Sequence, residues 1–158
     1  MTLEAETSYV TRPAGHSGGT ARGKAMNDMA SDAKSKSVVD TLRTRFISTA
    51  LGKLDAIDSA IDGLSSGDAK AHTTEMKLSA HALKGMAGSF GFMSVTRVSE
   101  ALEDYLSASA NSIAQAQADT RHYNNAMRAI IESGIEPSET ETDEIIARLP
   151  TASSIAAD

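Results

Sequence analysis

The stretch Ala80-His81-Ala82-Leu83-Lys84-Gly85-Met86-Ala87-Gly88-Ser89-Phe90-Gly91 decides the reading of this chain. An α-helix turns about 100° per residue. On that wheel Met76, Ala80, Leu83, Ala87 and Phe90 share one stripe at three- and four-residue steps, the pattern of a helix with one buried face. His81, Gly85 and Gly88 fall on the far side, with Lys77 near them and Lys84 one turn from the histidine on its flank. Glycine inside a helix costs about 1 kcal/mol relative to alanine. Two glycines on a face turned from the core are explained most simply by something large that must come close to His81.

That residue set suits phosphoryl transfer. A neutral imidazole keeps a lone pair on one ring nitrogen and can act as a nucleophile. Phosphoryl transfer needs mainly positioning and charge stabilisation. Side chains three residues apart on a helix are neighbours, so the Lys84 ammonium can reach a group carried on the imidazole. Gly85 removes the side chain that would shield the ring. No cluster of carboxylates is evident beside His81, so a partner is expected to bring both the metal and the acceptor carboxylate. A lone surface histidine is ordinarily inert. The His-x-x-Lys-Gly spacing, the second glycine and the apolar stripe opposite reverse that expectation here.

Upstream, Val39, Leu42, Phe46, Ile47, Ala50, Leu54, Ile57, Ile61 and Leu64 recur at helical steps and predict a long first helix over about 38–64. Ser65-Ser66-Gly67-Asp68 reads as a loop, and the histidine helix follows from about Ala69 to Ser89. Gly91 suits the left-handed residue that commonly ends a helix. Ser94 is placed to cap the next helix, whose stripe is Val95, Val98, Leu102 and Tyr105. After a polar break at 107–112, Ile113, Ala116, Thr120, Tyr123, Met127, Ile130 and Ile131 mark a further helix, closed by Gly134 and Pro137. Four long helices with short loops predict an all-α, up-down-up-down four-helix bundle. Met26, Met29, Ala30 and Ala33 add a short extra N-terminal helix. Ser138-x-x-Glu141 is a capping box that opens a possible C-terminal helix, expected to dock on its own bundle or to fray, with a partner-binding segment as the alternative. The expected organisation is a disordered N-terminal tail over 1–23, a bundle over 24–134 and a C-terminal segment over 135–158.

Composition narrows the function. There is no cysteine, so disulfides and thiolate metal sites are excluded. A net charge of −6 argues against broad nucleic-acid binding. No apolar run approaches the length of a membrane span, and the N-terminus lacks a secretory pattern, so a cytoplasmic protein with no membrane partner is expected. His16, His72 and His122 lack a lysine at plus three followed by glycine. No histidine pair at ligand spacing suggests a resident metal. No phosphate-binding loop suggests a kinase acting alone.

Ala80, His81, Leu83, Lys84, Gly85, Ala87, Gly88, Phe90 and Gly91 resemble the signature of histidine-containing phosphotransfer (HPt) domains, with Leu102-Glu103 matching the Leu-Glu pair on the following helix. The run from Lys84 to Phe92 is also similar to the N-terminal phosphotransfer domain of chemotaxis histidine kinases. The resemblance implies that His81 is phosphorylated, that Lys84 stabilises the phosphoryl group and that Gly85 admits a receiver domain. It implies a structural role for Glu103, which the residue pattern alone leaves solvated or at the bundle edge. Lys77 and Gly88 complete the expected docking face, and Leu78 and Met86 are its candidate apolar contacts. The implied partners are response-regulator receiver domains and a histidine kinase. No cofactor of its own is expected, Mg²⁺ being supplied by the partner receiver, and the bundle is expected to close as a monomer. The competing reading is a non-catalytic adaptor that binds a receiver or kinase and acts by occupancy. A fragment of a chemotaxis-type kinase is a third.

Overall fold

The Asp68 carboxylate accepts from the backbone N–H groups of Lys70 (3.0 Å) and Ala71 (3.2 Å) and so starts the histidine helix, α2, at Ala69–Ala87. Before it lies α1, Gly19–Gly63. A single 3-10 turn, Gly88–Phe90, follows α2, and Gly91 adopts the left-handed conformation (φ 80°) that lets the chain reverse. The remaining helices are α3 (Met93–Ala108), α4 (Ile113–Ser133) and α5 (Glu139–Ala147). Gly134, also left-handed (φ 66°), closes α4. This computed structural model describes residues 19–108 and 113–151, and among them there is no strand. The all-α bundle expected from the periodicity is the fold observed.

The chain divides after Val39 into two units. In the first, the described residues are helical from Gly19, and those from Arg22 to Val39 are exposed throughout. The expected tail over 1–23 therefore already contains helix from Gly19. The expected short N-terminal helix is not separate, because no helix-breaking residue lies between Lys24 and Val38 and α1 runs on unbroken. The rest of that tail, His16 included, lies outside the described residues, as does most of the expected polar break at 107–112.

The second unit carries the bundle. Leu54, Ile57 and Ile61 of α1, Met76, Ala80 and Leu83 of α2, Val95, Val98 and Leu102 of α3, and Met127 and Ile131 of α4 are buried together. The core begins later in α1 than the apolar stripe does. Val39 and Leu42 were expected on the α1 stripe, but they are 61% and 46% exposed, and the core starts at Phe46. Phe46 stacks on Phe90 at 4.8 Å between ring centroids and packs on Phe92 at 5.4 Å, closing that end of the bundle. Helical periodicity continues beyond this aromatic layer, although the burial does not.

The start of α3 also differs from the expected one. Ser94 does not cap that helix; it lies buried inside its first turn. The cap comes from far along the chain, where Glu136 accepts from the Ser94 backbone N–H (2.6 Å) and from its hydroxyl (2.8 Å). The C-terminal segment docks on its own bundle, as expected. Ser138 and Glu141 form the capping box of α5. Arg97 of α3 pairs with Asp143 of α5 at 2.7 Å, Leu149 reaches the core, and the Tyr123 hydroxyl donates to the Pro150 carbonyl.

Candidate functional site

His81 and Glu103 are brought together by the α2–α3 pairing. With Ala80 and Leu83 turned into the core, His81 points to solvent, and its side chain is 76% exposed. Its Nδ1 lies 2.9 Å from Glu103 Oε1. Burial raises the Glu103 pKa, but hydrogen bonds from His81 and Lys84 outweigh it, and the carboxyl is held below its ordinary range. An ionised carboxylate only accepts, so Nδ1 carries the proton and donates it. The lone pair is therefore on Nε2, the nitrogen turned from α3. In a neutral ring the two nitrogens are distinct, and the partner of one sets the role of the other.

Lys84 sits one turn along. Its Nζ is 3.0 Å from Glu100 Oε1 and 3.2 Å from Glu103 Oε2. Hydrogen bonds to Glu100 first and Glu103 second raise its pKa, so it remains a cation. Glu103 thus holds both His81 and Lys84, one on each oxygen. Around them Gly85 is bare, since a Cβ placed there would meet nothing within 4 Å.

The other expected residues separate. Gly88 is on the His81 side of the wheel, but the chain reversal at Gly91 brings α3 back over it. A Cβ at Gly88 would meet Met93 Cε and Thr96 Oγ1, each at 3.4 Å. Gly88 therefore lies against the first turn of α3 and not on an open face. Lys77 is half-buried one turn before His81 and has no ion pair among the described residues. Leu78 is 62% exposed, whereas Met86 packs against the core. His72 lies against Gly63 at the end of α1, and His122 is exposed on α4.

Two acidic residues were underestimated from the sequence. The residue pattern left Glu103 solvated or at the bundle edge and placed no carboxylates beside His81, yet Glu103 and Glu100 both face Lys84. They stand three apart on α3, off its apolar stripe, and so share one flank. That spacing was the available signal. Which helix the flank would meet is decided by tertiary packing.

The Hpt domain profile matches residues 41–133, more than half of the chain. The chain belongs to the Hpt domain family. Comparison with curated proteins and with solved structures gives no match. Hpt domains act in histidine phosphotransfer within phosphorelays and engage kinases and receiver domains. In this Hpt domain the matched span covers the bundle helices from Thr41 to Ser133, with His81, Lys84, Gly85 and Glu103 inside it. Among the described residues no helix is long and apolar enough to cross a membrane.

Proposed function

We propose that the protein is a phosphorelay intermediate that carries a phosphoryl group on His81 Nε2. One observation carries this reading: Glu103 accepts a hydrogen bond from Nδ1–H, which leaves Nε2 of the exposed ring as the nucleophile beside the bare backbone of Gly85.

In the proposed step a receiver domain presents a phosphorylated aspartate. The Nε2 lone pair attacks phosphorus, an N–P bond forms, and the bond from phosphorus to the aspartyl oxygen breaks. The aspartate leaves as a carboxylate, so no outside proton is required. As the N–P bond forms, positive charge builds on the ring, and the Glu103 carboxylate on Nδ1–H offsets it. Lys84 offsets the negative phosphoryl oxygens. The reverse sequence passes the group to another receiver, and a histidine kinase is the alternative donor. Mg²⁺ belongs to the receiver in this scheme. Lys77 lies one turn from the histidine and adds positive charge to the approach. The protein acts as a cytoplasmic monomer in this reading, with no nucleic-acid partner.

The test is incubation of wild type and His81→Gln with a panel of phosphorylated receiver domains, following acid-labile, base-stable phosphate. Label on wild type alone supports the relay. Receiver binding with no label on either protein moves the reading to an adaptor that regulates by occupancy.

A further inference from the structure

The phosphotransfer reading gives Glu103 and Lys84 their work but leaves Glu100 without any. Yet Glu100 makes the shorter of the two contacts to Lys84, 3.0 Å against 3.2 Å. Glu100 is 56% exposed and lies on the same flank of α3 as Glu103. Resting on that reading, we infer that Glu100 is a positioning residue that holds the Lys84 ammonium in reserve, so that a phosphoryl group on His81 must draw Lys84 away from it.

The two carboxylates are not equivalent in this exchange. Glu103 is engaged on both oxygens, and its bond to Nδ1–H strengthens when the phosphorylated ring gains positive charge. Among the described residues, Glu100 forms an ion pair with Lys84 alone. Exposed ion pairs are weak, so Lys84 can leave Glu100 readily. A lysine ammonium is a compact charge with three donors on a flexible stem, able to keep Glu103 while it turns to a phosphoryl oxygen. Glu100 is then a competitor for the cation that phospho-His81 needs. Removing its charge should make the phosphohistidine a better-neutralised state and shift phosphoryl equilibria toward His81.

Phosphoramidate supplies a donor that requires no partner. The protein, Glu100→Gln, Lys84→Met and the double variant are treated with it, and the phosphohistidine signal is titrated by ³¹P NMR. His81→Gln serves as the site control. The charged groups facing the phosphoryl are Lys84 and Lys77 on α2 and Glu100 and Glu103 on α3. A phosphoryl group better paired with Lys84 gives up its last proton more easily. Glu100→Gln is expected to lower that titration by a few tenths of a pH unit when Lys84 is present and much less in the Lys84→Met background, the signature of coupling through the lysine. An equal shift in both backgrounds would mean that Glu100 acts by direct repulsion, and no shift would mean that it is an idle surface charge; either overturns the inference while leaving phosphotransfer intact. A signal that persists unchanged in His81→Gln overturns the phosphotransfer reading itself, and this inference with it.

Discussion

Glu103 Oε1 lies 2.9 Å from His81 Nδ1 while its other oxygen lies 3.2 Å from Lys84 Nζ, so one carboxylate orients the nucleophile and holds the cation next to it. Glu103→Gln keeps the shape but loses the charge that offsets the phosphorylated ring. Hydrogen bonds to charged groups contribute about 1.5–3 kcal/mol, so phosphotransfer to His81 should slow by roughly tenfold or more. Circular dichroism should remain that of the parent bundle. Rapid-quench transfer from a phosphorylated receiver would measure the loss, and a wild-type rate would remove Glu103 from the chemistry.

The same pair sets a pH dependence. The Glu103 carboxyl is held below its ordinary value of 4.5 in the folded protein. Its contribution to stability is present above that value and is lost as pH falls through the lowered folded one. Lys84 works in the opposite sense: its folded pKa is raised above 10.5, so its contribution is present below 10.5 and is lost as pH climbs through the raised value. Urea midpoints measured against pH should show a shallower acid limb for Glu103→Gln and a shallower alkaline limb for Lys84→Met.

Gly85 offers a way to separate folding from docking. Because a Cβ there meets open space, Gly85→Ala should stabilise the bundle by about 1 kcal/mol through helix propensity. A longer polar side chain, as in Gly85→Gln, should fold at least as well as the parent and yet block the approach to Nε2. The expected result is an unchanged or higher melting temperature together with receiver-dependent labelling reduced by more than tenfold in the Gln variant. Labelling at the parent rate would show that the bare patch is not the docking surface.

The bundle was legible because burial leaves a periodic trace. Met76, Ala80, Leu83 and Ala87 fall on one stripe in the sequence and are all buried. Local chemistry was legible too: Gly91 takes the positive φ expected of a helix-ending glycine, and Ser138 and Glu141 close the expected capping box. What escaped were side-chain partners decided by which element meets which. Glu136 caps α3 from beyond α4, and Glu100 and Glu103 turn a solvated flank into part of the site only because that flank meets α2. A helical wheel shows the direction in which a residue points, but it carries no information about the neighbour it meets there. Gly88 shows the same limit, since its direction was read correctly and its neighbour, the first turn of α3, was not.

The position of the aromatic layer predicts where substitutions in α1 begin to matter. Phe46→Ala removes the contacts with Phe90 and Phe92 from a buried site and should cost about 3–5 kcal/mol. Val39→Ala and Leu42→Ala lie on the same helical periodicity but in exposed positions, and each should stay within about 0.5 kcal/mol of the parent. Equilibrium urea unfolding of the three variants checks the boundary. A large loss at Leu42 would place the end of the core one turn earlier than the structure does.

Tyr123 links α4 to the chain beyond α5. Its hydroxyl donates to the Pro150 carbonyl, and Leu149 beside that carbonyl is buried in the core. Burial, with smaller contributions from Tyr105, Asp119 and Asp104, pushes the Tyr123 pKa up to about 12. An unfolded tyrosine gives up its proton near 10. The fold therefore favours the neutral phenol, and this stabilising contribution is complete below pH 10 and disappears as pH rises through about 12. Spectrophotometric titration should show Tyr123 ionising about two units above an unfolded tyrosine, and Tyr123→Phe should remove that component of the curve. The same variant should lose about 1 kcal/mol at neutral pH, the ordinary net contribution of one hydrogen bond. Removing residues 148–158 should cost more, because it also takes Leu149 out of the core, while leaving the labelling of His81 by a phosphorylated receiver close to that of the parent. A truncated protein that stays folded yet no longer accepts phosphate would give the C-terminal segment a part in receiver recognition rather than in stability alone.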